Sequence, residues 1–406
     1  MGRQAKELVT CGTCRCLSVG LTNISKSIHP YSRQLFVCCG LFLQQITRMP
    51  AIHSWQPNES SDLVIRHLVE GKCVVLPTES TYEIVASALQ PAAVANLHKL
   101  APESWPTIVV RDYANLFDWL PLLRGEAPRI FRKMGAGPIT LTADAGFAQG
   151  LFARLPEATR QLLVHDGRIA IRWPSHAIWD ELRQVNLPFV SIPISGGTTS
   201  AETARLVGDR VSCILDAGET QFGAMPTVVQ AEGRRCRLVR ENAVTREQID
   251  ELALCRILFI CTGNTCRSPM AEVLCAKLLA EQLGCTPGEL SRHGFCVQSA
   301  GLAAMMGSEA SPDGVRVVAD HGADLSRHRS RMATMEMLLW ADHIFTMTAS
   351  HAYALSPVAQ IQTPQLLSPA GDDVADPIGG ELSDYRTCAE QIIQYLRQRL
   401  PELLEA

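Results

Sequence analysis

The apolar run Ile257-Leu258-Phe259-Ile260 opens directly onto Cys261-Thr262-Gly263-Asn264-Thr265-Cys266-Arg267-Ser268-Pro269-Met270. A cysteine and an arginine thus bracket a short polar loop between a strand-like and a helix-like segment. Such a loop turns successive backbone N–H groups inward, and the helix start adds positive potential, so the nest suits a phosphate dianion or a thiolate. Cys261 is expected to be held there as a thiolate nucleophile. Arg267 supplies a planar fork for two phosphoryl oxygens. Ser268 can donate to the sulfur and ease its departure in a second step. Gly263 is expected to allow a backbone twist that most residues resist, and Pro269 fits a helix's first turn. Met270, Val273, Leu274, Cys275 and Leu278 keep the spacing of a helix with one buried face. A buried structural cysteine beside a surface arginine is the competing reading, and the placement between strand and helix favours the reactive one.

With these residues in view, the segment from about 255 to 406 resembles the low-molecular-weight protein phosphatase family over its whole length. The family places an Asp-Pro pair far downstream as general acid, and Asp376-Pro377 stands in that position. Its loop-bracing network implies roles for Asn264, Ser268, Ser299 and His328. Within the family, members similar to bacterial protein-arginine phosphatases carry Thr where Thr265 stands, and tyrosine-directed members usually carry a bulkier aliphatic residue. Tyrosine-directed members also tend to place aromatic rings after Asp-Pro to sandwich a phenol, and here Ile378-Gly379-Gly380 follows. The resemblance therefore implies a phosphorylated protein substrate, with phosphoarginine favoured over phosphotyrosine and no cofactor. Cys261 would attack phosphorus while Asp376 protonates the leaving atom, and Asp376 would then activate water against the phosphocysteine. Cys266 is either a small packed thiol or a partner for Cys261 in a reversible protective disulfide.

At 406 residues the chain has room for two or three cores. A formal charge of −4 argues against general attraction to nucleic acid. The 15 cysteines are scattered and odd in number, which with a reactive thiol favours a reducing cytoplasm over a disulfide scaffold. No apolar run reaches the roughly 20 residues of a membrane helix. Residues 1–48 differ from the rest and carry Cys11, Cys14, Cys16, Cys38 and Cys39 without convincing periodicity. No His or Cys pair follows at finger-like spacing, so no metal site is expected. The expectation is that Met49 is the true start, or that residues 1–55 are poorly structured. Any peptide from the first 48 residues in the native protein would defeat the first alternative.

Between about 56 and 250, Cys73 to Tyr82, Gly137 to Leu141, Gly167 to His176, Pro188 to Ser191 and Arg210 to Asp216 read as buried strands running into polar loops. The stretches Pro77 to Tyr82, Gly137 to Thr140 and Arg172 to His176, with the closing run Leu238 to Leu252, resemble the YrdC-like family, the threonylcarbamoyl-AMP synthases of tRNA modification. The resemblance implies a concave basic cleft for ATP, threonine and bicarbonate, drawing on Thr78, Tyr82, Lys99, Thr140, Arg172, His176, Ser191 and Ser195. Three departures weaken that cleft. Glu83-Ile84-Val85 replace the glycines usual after the tyrosine, placing bulk and a carboxylate where small residues line the cleft. Lys99-Leu100-Ala101 lacks the family's second basic group, and Pro193-Ile194-Ser195 lacks its Ser-x-Asn partners. Each lost group weakens an ATP site.

Arg240 to Leu252 reads as a short helix capped by Thr245 with Gln248 three residues on. Only a few residues separate it from the next strand, so two docked domains are expected, at 56–252 and 254–406. The fold class is α/β throughout: a YrdC-like αβ unit followed by a doubly wound parallel sheet with its phosphate loop at the strand ends. Three functions stay open: a protein phosphatase with a non-catalytic N-terminal module, a bifunctional enzyme that also forms threonylcarbamoyl-adenylate, and a phosphatase controlled by nucleotide or RNA bound at its other half.

Overall fold

The computed structural model describes residues 10–11, 14–15, 50–101, 104–356 and 363–405. The expectations for residues 1–48 lie outside the described residues, apart from strands β1 (Thr10–Cys11) and β2 (Cys14–Arg15), which pair antiparallel. Among the described residues no cluster of His, Cys, Asp and Glu suits a metal ion, and no helix is long and apolar enough to cross a membrane.

From residue 51 to 240 the chain builds a mixed ten-stranded sheet. Its strands are β3 (Ala51–Ser54), β4 (Val74–Leu76), β5 (Glu83–Ser87), β6 (Thr107–Val109), β7 (Ile139–Asp144), β8 (Arg168–Arg172), β9 (Phe189–Pro193), β10 (Cys213–Asp216), β11 (Thr227–Glu232) and β12 (Arg235–Arg240). They lie in the order β12-β11-β7-β8-β6-β9-β5-β4-β10-β3. Period-two alternation sends neighbours to opposite faces, so Val75 and Ile84 join the larger core while Val74, Leu76 and Val85 join the smaller one. Residues 51–54, expected to fall outside the fold, pair in parallel with β10 as an edge strand.

The second sheet is parallel, in the order β14-β13-β15-β16, from β13 (Cys255–Cys261), β14 (Phe295–Gly301), β15 (His343–Thr346) and β16 (Gln365–Leu366). A strand with neighbours on both edges and helices on both faces must be apolar throughout, and in β13 only Arg256 escapes full burial. Phe259 stacks on Phe345 with ring centroids 5.8 Å apart. The helix Arg267–Leu283 follows the Cys261 loop and stops where Gly284 takes up φ 67°, a left-handed C-cap that favours glycine. Its buried face is Met270, Ala271, Leu274, Cys275, Leu279 and Ala280, whereas Val273 and Leu278 are half-buried. The seam is thus rotated from the one the larger side chains suggested, because Ala271 and Ala280 bring the helix close to its neighbours.

The junction is short, as the sequence implies. The helix Arg246–Ala253 starts with a complete Thr245/Gln248 capping box, and only Leu254 separates it from β13. The helix Glu126–Met134 of the first unit packs there: Arg129 Nε donates to the Ala253 carbonyl at 2.9 Å, and Lys133 Nζ donates to that of Leu254.

Candidate active site

The backbone N–H of Asn264 donates to Cys261 Sγ at 3.2 Å, and Ser268 Oγ lies 3.0 Å from the same sulfur. Cys261 is 3% exposed at the end of β13, and Ser268 is fully buried in the first helical turn. Both groups can donate a hydrogen bond to that sulfur. Asn264 holds the loop in shape. Its Nδ2 donates to Ser268 Oγ at 3.0 Å and to Ser299 Oγ at 2.8 Å, while its Oδ1 accepts from Arg331 N–H at 2.9 Å. His328 Nε2 lies 2.8 Å from the Asn264 carbonyl; an oxygen of that kind can only accept, so Nε2 carries the hydrogen. Ser299 passes its own hydrogen to Glu272 Oε2 at 2.5 Å. Burial pushes the Glu272 carboxyl up, and the Ser299 hydroxyl and Arg331 pull it back.

One sequence expectation needs correcting. The twist of the loop is at Asn264, with φ 54°, and Gly263 keeps an ordinary φ with room for a Cβ. Asn tolerates the left-handed region better than most residues, and here its side chain is held by three hydrogen bonds.

Arg267 is 6% exposed and pairs with the half-exposed carboxylate of Asp376, so the two residues singled out from opposite ends of the domain meet above the loop. Thr262 is exposed and Thr265 half-buried at the mouth. Cys266 Sγ packs against the Tyr385 hydroxyl at 3.6 Å. Two supporting residues went unnoticed in the sequence. A Cβ on Gly301 would lie 2.5 Å from the Thr262 carbonyl oxygen and 2.9 Å from the Asn264 nitrogen, so only glycine lets β14 lie under the loop. His351 bridges Thr262 Oγ1 and Thr348 Oγ1, each at 2.8 Å. Burial lowers its pKa first, and the nearby Arg267 cation lowers it further. The available signal was Thr348, a helix N-cap three residues before a histidine at a strand's end.

Residues 256–406 match the family model of the low molecular weight phosphotyrosine protein phosphatases. Over 156 residues the chain is 38% identical to a protein-arginine-phosphatase of Geobacillus stearothermophilus, an alignment covering 37% of this chain and 96% of that one. The C-terminal domain belongs to the low molecular weight phosphotyrosine protein phosphatase family. The phosphatase domain is also 32% identical over 140 residues to a probable low molecular weight protein-tyrosine-phosphatase, EpsP, of Ralstonia nicotianae, covering 34% of this chain and 87% of that one. Residues 66–242 match the Sua5–YciO–YrdC family model, described as telomere recombination. There the chain is 27% identical over 198 residues to a threonylcarbamoyl-AMP synthase of Pyrococcus abyssi, covering 45% of this chain and 54% of that relative, about half its length. The chain therefore joins a YrdC-like domain to a phosphatase domain.

In the YrdC-like domain the structure gathers some expected residues and separates others. Arg172, at the end of β8, is 1% exposed and ion-paired with both Glu79 and Glu83. It also donates to Ser80 Oγ and reaches Thr78 Oγ1 at 3.4 Å. Glu83, expected to stand in an open cleft, is fully buried and closes the guanidinium off, because a buried cation requires carboxylates close by. Thr78 is turned inward to the Thr81 carbonyl at 2.6 Å, and Tyr82 Oη donates to the Gly218 carbonyl at 2.8 Å. His176 caps the helix Ala177–Leu182 and meets Trp55 edge-on. Ser191 is buried, whereas Lys99 and Ser195 are exposed. Thr140 lines a separate cleft of about 110 Å³ with Trp105, Pro193 and Arg240. That volume is well below the roughly 300 Å³ at which small-molecule sites begin.

Proposed function

We propose that the phosphatase domain hydrolyses phosphoarginine in protein substrates in preference to phosphotyrosine, through a phosphocysteine on Cys261. Arg267 binds two phosphoryl oxygens as the phosphate takes its guanidinium from Asp376. The Cys261 thiolate attacks phosphorus in line; the P–N bond breaks, and Asp376, protonated from solvent once Arg267 has left it for the phosphate, gives that proton to the departing nitrogen. Asp376 then takes a proton from water, which attacks the phosphocysteine and releases phosphate and the thiolate. Ser268 donates to that sulfur as it leaves.

The observation that carries the substrate preference is the mouth of the site. The hydroxyl-bearing Thr265 stands in the loop, and Asp376 is followed by Ile378, 68% exposed, and two glycines, with no ring to stack on a phenol. The Geobacillus relative's name, protein-arginine-phosphatase, supports the same reading. The test is kcat/KM for phosphoarginine against phosphotyrosine substrates, with Cys261→Ser as blank. A phosphoarginine preference that Thr265→Ile reverses is expected, and a phosphotyrosine preference in the wild type overturns it.

For the YrdC-like domain we propose a non-catalytic role, carried by the enclosure of Arg172 between Glu79 and Glu83. A guanidinium already neutralised by two carboxylates offers little to a triphosphate. ATP is then at most a ligand. The expected result is no pyrophosphate release from ATP with threonine and bicarbonate; turnover would establish a bifunctional enzyme. We place the protein in a reducing cytoplasm, since its described cysteines are free, the nucleophile among them.

A further inference from the structure

On the YrdC-like domain, away from the cleft that holds Thr140, lies a second cavity of about 330 Å³. Its wall is apolar: Val109, Trp119, Leu155 and Phe189 line it, each less than a tenth exposed. Its rim carries two guanidiniums, Arg111 and Arg154. Arg111 is steadied by a hydrogen bond to Asn186 Oδ1 at 3.2 Å. Among the described residues neither arginine has a carboxylate partner, and no Asp or Glu lines the cavity.

These features are complementary to one kind of ligand. An apolar wall takes a hydrocarbon or aryl body, and the volume sits at the small end of ligand sites. Two unpaired guanidiniums at the rim call for a compact anion, and Arg binds a carboxylate in a bidentate fork.

We propose that this cavity binds a small amphipathic monocarboxylate, its apolar body against Phe189 and Leu155 and its carboxylate between Arg111 and Arg154. The test uses the full chain with octanoate as probe, 1-octanol as its uncharged counterpart and acetate as the headgroup alone. Calorimetry is expected to show octanoate binding roughly tenfold or more tighter than octanol, the change that one charge-assisted hydrogen bond gives, and no acetate binding. The Trp119 indole N–H resonance, assigned with Trp119→Phe, is expected to move on octanoate addition. In Arg111→Gln/Arg154→Gln, two surface changes, the preference over octanol is expected to vanish while octanol affinity stays. Leu187→Trp, which fills the cavity from its half-buried wall, is expected to abolish both, with an unchanged melting transition showing that the fold persists. Octanoate that fails to bind at millimolar concentration, binds no better than octanol, or is insensitive to the arginine changes overturns the proposal.

Discussion

Lys133 Nζ stands 2.8 Å from Asp342 Oδ2, an ion pair between the YrdC-like and phosphatase domains in which the aspartate side chain is 2% exposed. Arg132 pairs with the other oxygen, and the Arg256 N–H donates to Oδ2 at 2.8 Å. Asp342 immediately precedes β15 and Arg256 belongs to β13. The contact therefore grips the two central parallel strands at their starts, while Cys261 closes β13 at its far end and the Thr348–His351 bridge lies just beyond that of β15.

Removing that carboxylate is expected to leave the buried Lys133 ammonium without a counter-charge, held only by the Leu254 carbonyl. Loss of one partner of a buried pair costs about 3–5 kcal/mol. Asp342→Asn is therefore expected to lose most of that range in urea unfolding, and to split one transition into two as the domains come apart. A single transition at the wild-type midpoint would mean that the pair adds nothing to docking.

Asn264 joins two tasks in one residue, a left-handed backbone at φ 54° and side-chain bonds to Ser268, Ser299 and Arg331. Asn264→Gly keeps the first and loses the second; Asn264→Ala loses both. Both are expected to lower kcat, since Ser268 and the Cys261 sulfur lose their brace. Only the alanine variant should carry a further loss of about 1–2 kcal/mol in stability. Equal stability of the two would place the backbone demand elsewhere.

Gly301 makes a sharper case for close approach. A methyl group there meets the backbone of Thr262 and Asn264, which cannot rotate aside. Gly301→Ala is expected to cost about 1–3 kcal/mol, as overpacking does, and to lower kcat for any phosphomonoester, including one too small to touch the rest of the site. A variant with normal kcat would show that the loop tolerates displacement from β14.

Much of this was legible because it is local. The strand–loop–helix around Cys261, the Thr245 cap and the α/β class rest on spacing within a few residues, whereas the role of Asp376 came only with the family resemblance. What the sequence hid depends on tertiary closure. Glu83 reads as a carboxylate in a cleft until β5 and β8 bring it against Arg172. Gly263 looks like the pivot of the loop until Ser299 and Arg331, distant in sequence, show what holds Asn264 in the twist. Gly301 carries no signature alone and His351 only the weak one of its Thr348 cap, and the parallel pairing of β13 with β14 and β15 sets both against Thr262.

The two histidines that brace the loop tie its stability to pH. Burial lowers the pKa of His328 from its ordinary 6.5, with the Asn264 carbonyl bond pulling it partly back, and burial with the Arg267 cation lowers that of His351. Well above pH 6.5 both are neutral in the folded and the unfolded chain and add no pH dependence. From about that pH downward the unfolded chain takes up protons first, so stability falls as the pH drops from 6.5 toward the folded values and levels off beneath them. Each such group can add up to about 1.4 kcal/mol per pH unit. Denaturant unfolding at a series of pH values is expected to show stability falling more steeply below 6.5 in the wild type than in His351→Gln. Parallel curves would show that His351 titrates alike in both states, and that its bridge between Thr262 and Thr348 does not depend on a neutral ring.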